Sequence, residues 1–411
     1  MTDNITHVTR AASVTVDAAP GISLPQLKLL FALIGASDAA LAAFMPLLLL
    51  SDGFRDSGIG IVLSLAALAA FLSGPAWGHA ADRSLGAERT LRTALFGAAV
   101  TSVPLLMVHD RFAIAALVVA VWAMRAPIAA TTDALALARL GDARRNGYAA
   151  IRLWASAGWA VAAVCWGAAY EVTGLRVSPL VYAVAIALVA IWTRRVLRVP
   201  LRATRPQWAP WRVPRLRAPP RGLTPFLVAV LLLMATSSAS TTFIALRMKS
   251  LGGGYLLIGL AAGLQAAMEI PAMASIVRLT TWFTHRGLFV GGCTIFAATF
   301  VAWSYLSDPL ALALLRLVMG VGFAFVYVGT VVIVDDLVSP RLRATGQGVA
   351  RSVAFGLAPV LGTLGGGVVY AAFGARTMFF GCAAVAVAAS LIVRAAVPEP
   401  DYGAAAIDPT A

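Results

Sequence analysis

The sequence predicts an all-α integral membrane protein with twelve transmembrane helices in two six-helix bundles. The first observation is composition, since 60% of the 411 residues are hydrophobic and only 12% are charged. Soluble domains carry roughly 25% charged residues. The second is that the apolar residues form long runs, and a helix of ~20 residues crosses ~30 Å of hydrocarbon. The third is that arginine-rich segments separate these runs, as is typical of membrane proteins.

The apolar runs can be delimited by charged residues and by Gly- and Pro-rich breaks. The predicted spans are 27–50, 57–78, 92–108, 112–137, 149–170, 177–198, 223–247, 254–278, 287–306, 309–334, 346–372 and 376–397. The runs lack the alternation of apolar and polar residues that a membrane β-barrel requires, so helices are favoured.

Basic residues are distributed unevenly between the two sets of loops. The even-numbered loops hold 21 arginines, whereas the odd-numbered loops hold five arginines and one lysine. Because basic loops stay in the cytoplasm, this asymmetry predicts a protein of the cell membrane with both termini cytoplasmic. The net charge of +14 does not indicate nucleic-acid binding, because it is spread over short segments between apolar runs.

The chain is expected to divide at 199–222, a Pro-, Arg- and Trp-rich segment that is predicted to be a cytoplasmic linker. It separates an N-terminal bundle, 27–198, from a C-terminal bundle, 223–397. Segments 1–26 and 398–411 are predicted cytoplasmic tails, and the first of them lacks the pattern of a signal peptide.

A short pattern supports a relationship between the two halves. The pattern Gly-x-x-Tyr-x-x-x-Gly occurs at the end of the fifth predicted span and again at the end of the eleventh, and its Gly and Tyr positions are offset by 200 residues. An Arg lies near the start of each of these two spans. The two sets are Arg152, Gly167, Tyr170 and Gly174, and Arg351, Gly367, Tyr370 and Gly374. Two parallel repeats can rock about a binding site at the bilayer midplane, which is the basis of alternating access.

Few ionisable residues lie inside the predicted spans, where a charge costs roughly 2.5–3.5 kcal/mol on insertion scales and marks a functional candidate. They are Asp38, Arg125, Asp133, Glu269 and Arg316. The carboxylates Asp38, Asp133 and Glu269 are candidate proton-coupling sites, because an acid that moves between wet and dry surroundings can bind and release a proton.

Arg125 and Asp133 share one face of the fourth predicted span, but ~12 Å along the helix axis separates them. Each therefore needs another partner, and the candidates are Asp38 or water for Arg125 and Arg152 for Asp133. The alternative is a charge network that only holds helices together.

The fifth predicted span carries a stripe of polar and aromatic residues on one helical face, formed by Arg152, Ser156, Trp159 and Trp166. A guanidinium offers a fork of donors and an indole offers a flat apolar surface, which together suit a hydroxylated ring or an aromatic acid. Arg152, Ser156, Trp159, Glu269 and Arg125 are thus the candidate substrate-binding residues. The alternative is that Trp159 only packs and that Arg152 is a charge at the membrane edge.

The loop after the second predicted span reads GHAADRSLGAER. Gly78, Asp82 and Arg83 match Gly-x-x-x-Asp-Arg, the start of a loop motif of the major facilitator superfamily, which the chain resembles. In that family the loop is a conformational latch, and the resemblance implies the same role for these three residues. The motif's next Gly is replaced by Leu85.

The segment YAAIRLWASAGWAVAAVCWG resembles the fifth helix of the oligosaccharide and nucleoside proton-symporter branch, which includes lactose permease. Arg152 and Trp159 match the sugar-contacting Arg and the sugar-stacking Trp of that branch, and Glu269 is similar to its acidic residue in the eighth helix. The tenth predicted span departs from the pattern, because it contains Arg316 but lacks the branch's His and carboxylate.

The sequence therefore predicts a secondary active transporter that moves a sugar, nucleoside or aromatic acid by proton-coupled symport. Proton-antiport efflux of drugs or metabolites is the alternative, with Asp38 as its cation or proton site. An enzyme is not indicated, since no HExxH, GxSxG or nucleotide-binding loop is present. The expected partners are the solute, protons and the lipid bilayer, and we expect a monomer without metal or cofactor.

Overall fold

The computed structural model describes residues 22–140, 144–197, 220–339 and 342–398. The predicted linker and the two predicted tails lie almost wholly outside these ranges. Within them the chain forms α-helices and short π- and 3₁₀-helical turns, without strands. The helices are α1 (Leu24–Ala42), α2 (Met45–Ser51), α3 (Asp56–Ala80), α4 (Gly86–Ser102), α5 (Arg111–Leu140), α6 (Arg144–Thr173), α7 (Ser178–Val196), α8 (Leu223–Ser250), α9 (Tyr255–Leu279), α10 (His285–Tyr305), α11 (Pro309–Leu337), α12 (Arg343–Ser352) and α13 (Ala358–Ala396).

Ten continuous helical segments of this described part are long and apolar enough to cross a bilayer. Two of them, Asp56–Leu106 and Thr345–Ala396, contain 51 and 52 residues, about twice the length of one crossing. Each bends back at a glycine with positive φ, Gly86 at 73° and Gly374 at 80°. With two crossings in each of these two segments and one in each of the other eight, the described helices agree with the twelve predicted spans. The prediction of an all-α membrane protein is confirmed.

The start of α1 shows why helix ends differ from the predicted spans. The helix begins at Leu24, three residues before the predicted start at residue 27. Ser23 accepts a hydrogen bond from the backbone N–H of Gln26, and the Gln26 side chain accepts one from the backbone N–H of Ser23. This reciprocal cap stabilises a first turn that hydrophobicity alone does not reveal.

Each bundle contains the same close helix crossing. In the N-terminal bundle α1 crosses α6, where a Cβ placed on Gly158 would lie 2.1 Å from the Ala32 carbonyl oxygen. In the C-terminal bundle α8 crosses α13, where a Cβ on Gly362 would lie 2.1 Å from the Ala235 carbonyl oxygen. Helices in lipid associate through such close backbone contacts at small residues.

The repeated glycines also share a conformation. Gly174, between α6 and α7, has a φ of 78°, and Gly374, which interrupts α13, has a φ of 80°. Side chains other than Gly rarely adopt this region, so both positions require glycine for the same reversal of direction. The two halves are therefore built on one helical pattern, as the sequence repeat predicts.

The bundles meet along two helix pairs. α6 packs against α9, where a Cβ on Gly259 would lie 2.2 Å from the Ala163 carbonyl oxygen. α3 packs against α13, where Gly60 faces Gly367. We call the membrane side on which α1 begins the proximal side and the opposite side the distal side. These glycine contacts lie in the distal half of the spans, so the bundles are tightly joined there.

Candidate functional site

A cavity of about 620 Å³ lies between the two bundles, within the usual range of ~300–1,000 Å³ for small-molecule sites. Its N-terminal wall comes from α1, α5 and α6, and its C-terminal wall comes mainly from α8, α9 and α11. Its polar and aromatic lining includes Asp38, Trp122, Arg152, Ser156 and Trp159 on the N-terminal wall and Gln265, Glu269 and Arg316 on the C-terminal wall.

On the N-terminal wall, Asp38 forms an ion pair with Arg125, with an O–N distance of 2.9 Å. The guanidinium of Arg125 also lies over the ring of Trp122, 4.8 Å from its centroid. The predicted pairing of Arg125 with Asp38 is therefore confirmed. Arg125 itself does not line the cavity, but both of these contact residues, Asp38 and Trp122, do.

Asp133 forms a second charged cluster on the proximal side of the cavity. One of its carboxylate oxygens lies 3.3 Å from Arg152, as predicted, and the other lies 3.3 Å from Arg351. Arg351 belongs to α12 of the other bundle, so this buried carboxylate joins the two halves of the molecule. The sequence contained Arg351 as part of the repeat, but nothing in it indicated this contact.

The predicted stripe on α6 divides into two parts. Arg152, Ser156 and Trp159 open into the cavity. Trp166 does not, because its indole N–H donates to the Ala36 carbonyl at 3.2 Å and its ring lies against Tyr170. Trp166 therefore packs α6 against α1, whereas the other three side chains remain available to a solute.

On the C-terminal wall, Glu269 accepts a hydrogen bond from the side-chain amide of Gln265 at 3.3 Å, one helical turn away on α9. Arg316 on α11 is 5% exposed and faces the same cavity. Its guanidinium lies 6.0 Å from the ring centroid of Trp303. Glu269 and Arg316 form no ion pair with each other among the residues described by the structure. The sequence marks Arg316 as a functional candidate without a specific role, and it gives no signal for Gln265.

The predicted latch residues lie on the proximal side, away from the central cavity. Gly78 lies in the last turn of α3, and Asp82 and Arg83 belong to the π-helical turn Ala81–Leu85 that follows it. Gly78 and Asp82 line a second, larger cleft of about 1180 Å³ that separates them from Arg351 and its neighbours on α12. Within the described ranges, no ion pair joins Asp82 to the C-terminal bundle.

Two related bundles around a central polar cavity define a multi-pass membrane transporter. The profile of the MFS_1 like family matches residues 24–380. The chain belongs to this family.

Known proteins agree with that assignment. The maltose permease of Geobacillus stearothermophilus is 32% identical over 280 residues, which cover 66% of this chain and 68% of that protein. The crystal structure of the nucleoside transporter NupG is similar with a TM-score of 0.78 and 18% identity, covering 90% of this chain and 98% of that one.

A peptide transporter, POT, is similar with a TM-score of 0.74 and 14% identity, over 90% of this chain and 93% of that one. The matched family and these relatives are transporters. The predictions of a major facilitator protein, and of a secondary transporter rather than an enzyme, are confirmed.

Proposed function

We propose that the protein is a proton-coupled symporter of a small polar ring compound, which is a sugar, a nucleoside or an aromatic acid. The observation that carries this proposal is the face of α6, where Arg152, Ser156 and Trp159 open into the cavity opposite Glu269. Two similar proteins are named as a maltose permease and a nucleoside transporter. Maltose and nucleosides both contain hydroxylated rings, which supports a solute of this kind.

In this proposal the cavity residues have different roles. Arg152 and Ser156 hydrogen-bond to polar groups of the solute, Trp159 stacks on its ring, and Glu269 accepts hydrogen bonds from the opposite wall. Arg125 is a positioning residue, because it holds Asp38 at the cavity surface through the 2.9 Å ion pair.

Proton coupling is proposed for Asp38, Asp133 and Glu269, the carboxylates of the bundle interior. Asp133 is placed to link protonation to movement, because a neutral carboxyl would lose its ionic attraction for Arg351 in the other bundle. Among the described residues, the hydrogen-bond partner of Glu269 is the Gln265 amide, so Glu269 can exchange a proton without breaking an arginine pair.

The arginine distribution supports a cell-membrane orientation in which the proximal side is cytoplasmic. The tails 1–26 and 398–411 and the linker 199–222 then lie in the cytoplasm, flanking the bundles 27–198 and 223–397. Gly78, Asp82 and Arg83 would close the proximal cleft against α12 when the distal side opens. We propose that one chain is the transporting unit.

Efflux by proton antiport is the alternative function. It is favoured by the position of Asp38, whose side chain is 24% exposed and lines the cavity. A cationic solute and a proton could compete for that carboxylate.

Transport by purified protein in liposomes separates these possibilities. An inward-directed proton gradient, with the outside acidic, should drive accumulation of maltose or uridine. Arg152→Ala should abolish this accumulation. Glu269→Gln or Asp133→Asn should leave solute exchange but reduce the response to the pH gradient. Arg278→Met, which replaces an exposed arginine at the end of α9, is the matched control.

Gradient-driven expulsion of solute would instead establish antiport. Unchanged coupling in Asp38→Asn, Asp133→Asn and Glu269→Gln would refute the proton sites.

A further inference from the structure

We propose that the cleft beside Gly78 and Asp82, which we call the proximal cleft, is a second binding site of the protein. It takes a phosphomonoester group, which is carried by a small soluble molecule or by a lipid. The site lies outside the central cavity, since among the described residues only Phe355 lines both spaces. Binding there does not depend on which solute is transported.

The proximal cleft has room for such a ligand. Its volume is about 1180 Å³, above the ~300–1,000 Å³ that is usual for small-molecule sites. A Cβ placed on Gly74 or Gly78 of α3, or on Gly348 of α12, would meet no atom within 4 Å. All three glycines line the cleft, so open space remains along the walls that both bundles supply.

The described lining of the proximal cleft is positively charged. Its four arginines are Arg89 and Arg92 of α4, Arg194 of α7 and Arg351 of α12. Its carboxylates are Asp82 and Glu88, which leaves an excess of two positive charges. A phosphomonoester carries about −1.5 to −2 charges at pH 7. It therefore matches this excess better than a carboxylate or a phosphodiester, each of which carries a single charge.

Arg89 and Arg194 are the arginines that remain available to an anion. Both are exposed, and neither forms an ion pair within the described ranges. Arg92, by contrast, lies 3.9 Å from Glu88, one turn earlier on α4. Because α4 packs against α7, the two available guanidiniums belong to adjacent helices. A guanidinium can donate two parallel hydrogen bonds to a phosphate group.

Arg195 distinguishes a site in the cleft from the general basic character of the proximal side. Basic residues at helix ends are common on one side of a membrane protein. Arg194 and Arg195 both lie exposed in the last turn of α7, but Arg194 lines the cleft and Arg195 does not. Arg195→Met is therefore a matched control for Arg194→Met.

Occupancy of the cleft would bias the conformational equilibrium of the transporter. This step rests on the proposed function, in which the cleft closes against α12 when the distal side opens. A ligand that binds only while the cleft is open shifts the protein towards that conformation. The expected consequence is inhibition of transport by a phosphomonoester on the proximal side.

Thermal unfolding of the purified protein tests the site with glycerol 3-phosphate as the soluble probe. Glycerol 3-phosphate should raise the melting temperature by mass action, and dimethyl phosphate, a diester with one charge, should have a smaller effect. Arg89→Met and Arg194→Met should each weaken the affinity about fivefold or more, because a hydrogen bond to a charged group is lost. Arg195→Met should bind like the unaltered protein.

Vesicles of phosphatidylcholine with and without phosphatidic acid test the lipid as the source of the phosphate. Stabilisation by phosphatidic acid but not by glycerol 3-phosphate, with the same dependence on Arg89 and Arg194, would identify a lipid ligand. The proposal is overturned if neither probe raises the melting temperature, or if sodium chloride at equal ionic strength has the same effect. It is also overturned if dimethyl phosphate is equally effective, or if Arg195→Met reduces binding as much as Arg194→Met.

Exchange of maltose or uridine by proteoliposomes separates this site from the proposed function. Glycerol 3-phosphate on both sides of the membrane should slow exchange by the unaltered protein more than exchange by Arg194→Met. Unchanged exchange despite a raised melting temperature would overturn the inhibition. If the unaltered protein exchanges neither solute, the proposed function fails, whereas the melting temperatures still decide whether the phosphate site exists.

Discussion

The two walls of the central cavity neutralise their charges in different ways. On the N-terminal wall Asp38 is paired with Arg125, and Arg152 is paired with Asp133. On the C-terminal wall Glu269 has an amide as its hydrogen-bond partner, and Arg316 has unused donors within the described residues. The charged groups of the first wall are thus paired with each other, whereas Glu269 and Arg316 of the second wall form no ion pair among the described residues.

This contrast arises although both walls stand on the same scaffold. The α1–α6 and α8–α13 crossings have equivalent glycine contacts, and the helix reversals at Gly174 and Gly374 have nearly equal φ angles. The repeat therefore conserves backbone packing between the halves while the side chains of the cavity have diverged. Substitutions that act on the scaffold should affect the halves equally, and substitutions of cavity charges should not.

The largest effect is expected for Arg125→Met. It leaves the partly buried Asp38 carboxylate without its partner. Removing one member of a fully buried ion pair costs ~3–5 kcal/mol, and the loss here should lie at the lower end of that range. Thermal unfolding in detergent should show a clear fall in melting temperature, whereas Arg316→Met should show none. The double variant Asp38→Asn/Arg125→Met should recover much of the loss. Equal melting temperatures for Arg125→Met and Arg316→Met would contradict the difference between the walls.

The scaffold comparison is sharpened by Gly158→Ala and Gly362→Ala. In each case the new methyl group meets a backbone oxygen that can move only if two helices separate, and overpacking of this kind costs roughly 1–3 kcal/mol. Both variants should lower the melting temperature to a similar extent. Gly291→Ala is the matched control, because a Cβ there meets no atom within 4 Å. A loss in only one of the first two variants would show that the crossings are not equivalent.

A smaller effect should distinguish the repeated tyrosines. The Tyr170 hydroxyl donates to the Ala40 carbonyl at 2.8 Å, and an intramolecular hydrogen bond contributes about 1 kcal/mol. Tyr370 stacks on Phe243, and its hydroxyl makes no hydrogen bond to a described residue. Tyr170→Phe should lower the melting temperature and Tyr370→Phe should leave it nearly unchanged. The opposite order would mean that ring packing, rather than the hydroxyl, dominates at both sites.

The smallest effect is expected at the distal contact between the bundles. Glu171 on α6 accepts a hydrogen bond from the Leu256 backbone N–H at 2.9 Å, at the start of α9. A carboxylate at an exposed helix N-terminus contributes roughly 0.3–1 kcal/mol. Glu171→Gln should therefore change the initial rate of maltose or uridine uptake by less than about fivefold without affecting binding. A complete loss of uptake would indicate that this contact has a larger role than a surface helix cap.

The sequence was informative where one helix determines the answer. Long apolar runs predict the fold, and residue spacing along α6 correctly places Arg152, Ser156 and Trp159 on one face. The partners of Arg125 and Asp133 were also predicted, because few intramembrane charges were available. The contact between Asp133 and Arg351 and the exposure of Gln265 and Arg316 to the cavity depend on how separate helices are rotated. Periodicity within one helix contains no information about that rotation.

Because Asp133 pairs with one arginine from each bundle, binding of a solute can change how strongly the two bundles are held together. Its two oxygens hold one arginine that is proposed to bind the solute and one arginine of the opposite bundle. A solute that draws Arg152 away leaves the full negative charge to Arg351, which strengthens the tie between the halves on the proximal side. An occupied carrier would then favour closure of that side, whereas an empty one would be held there less firmly.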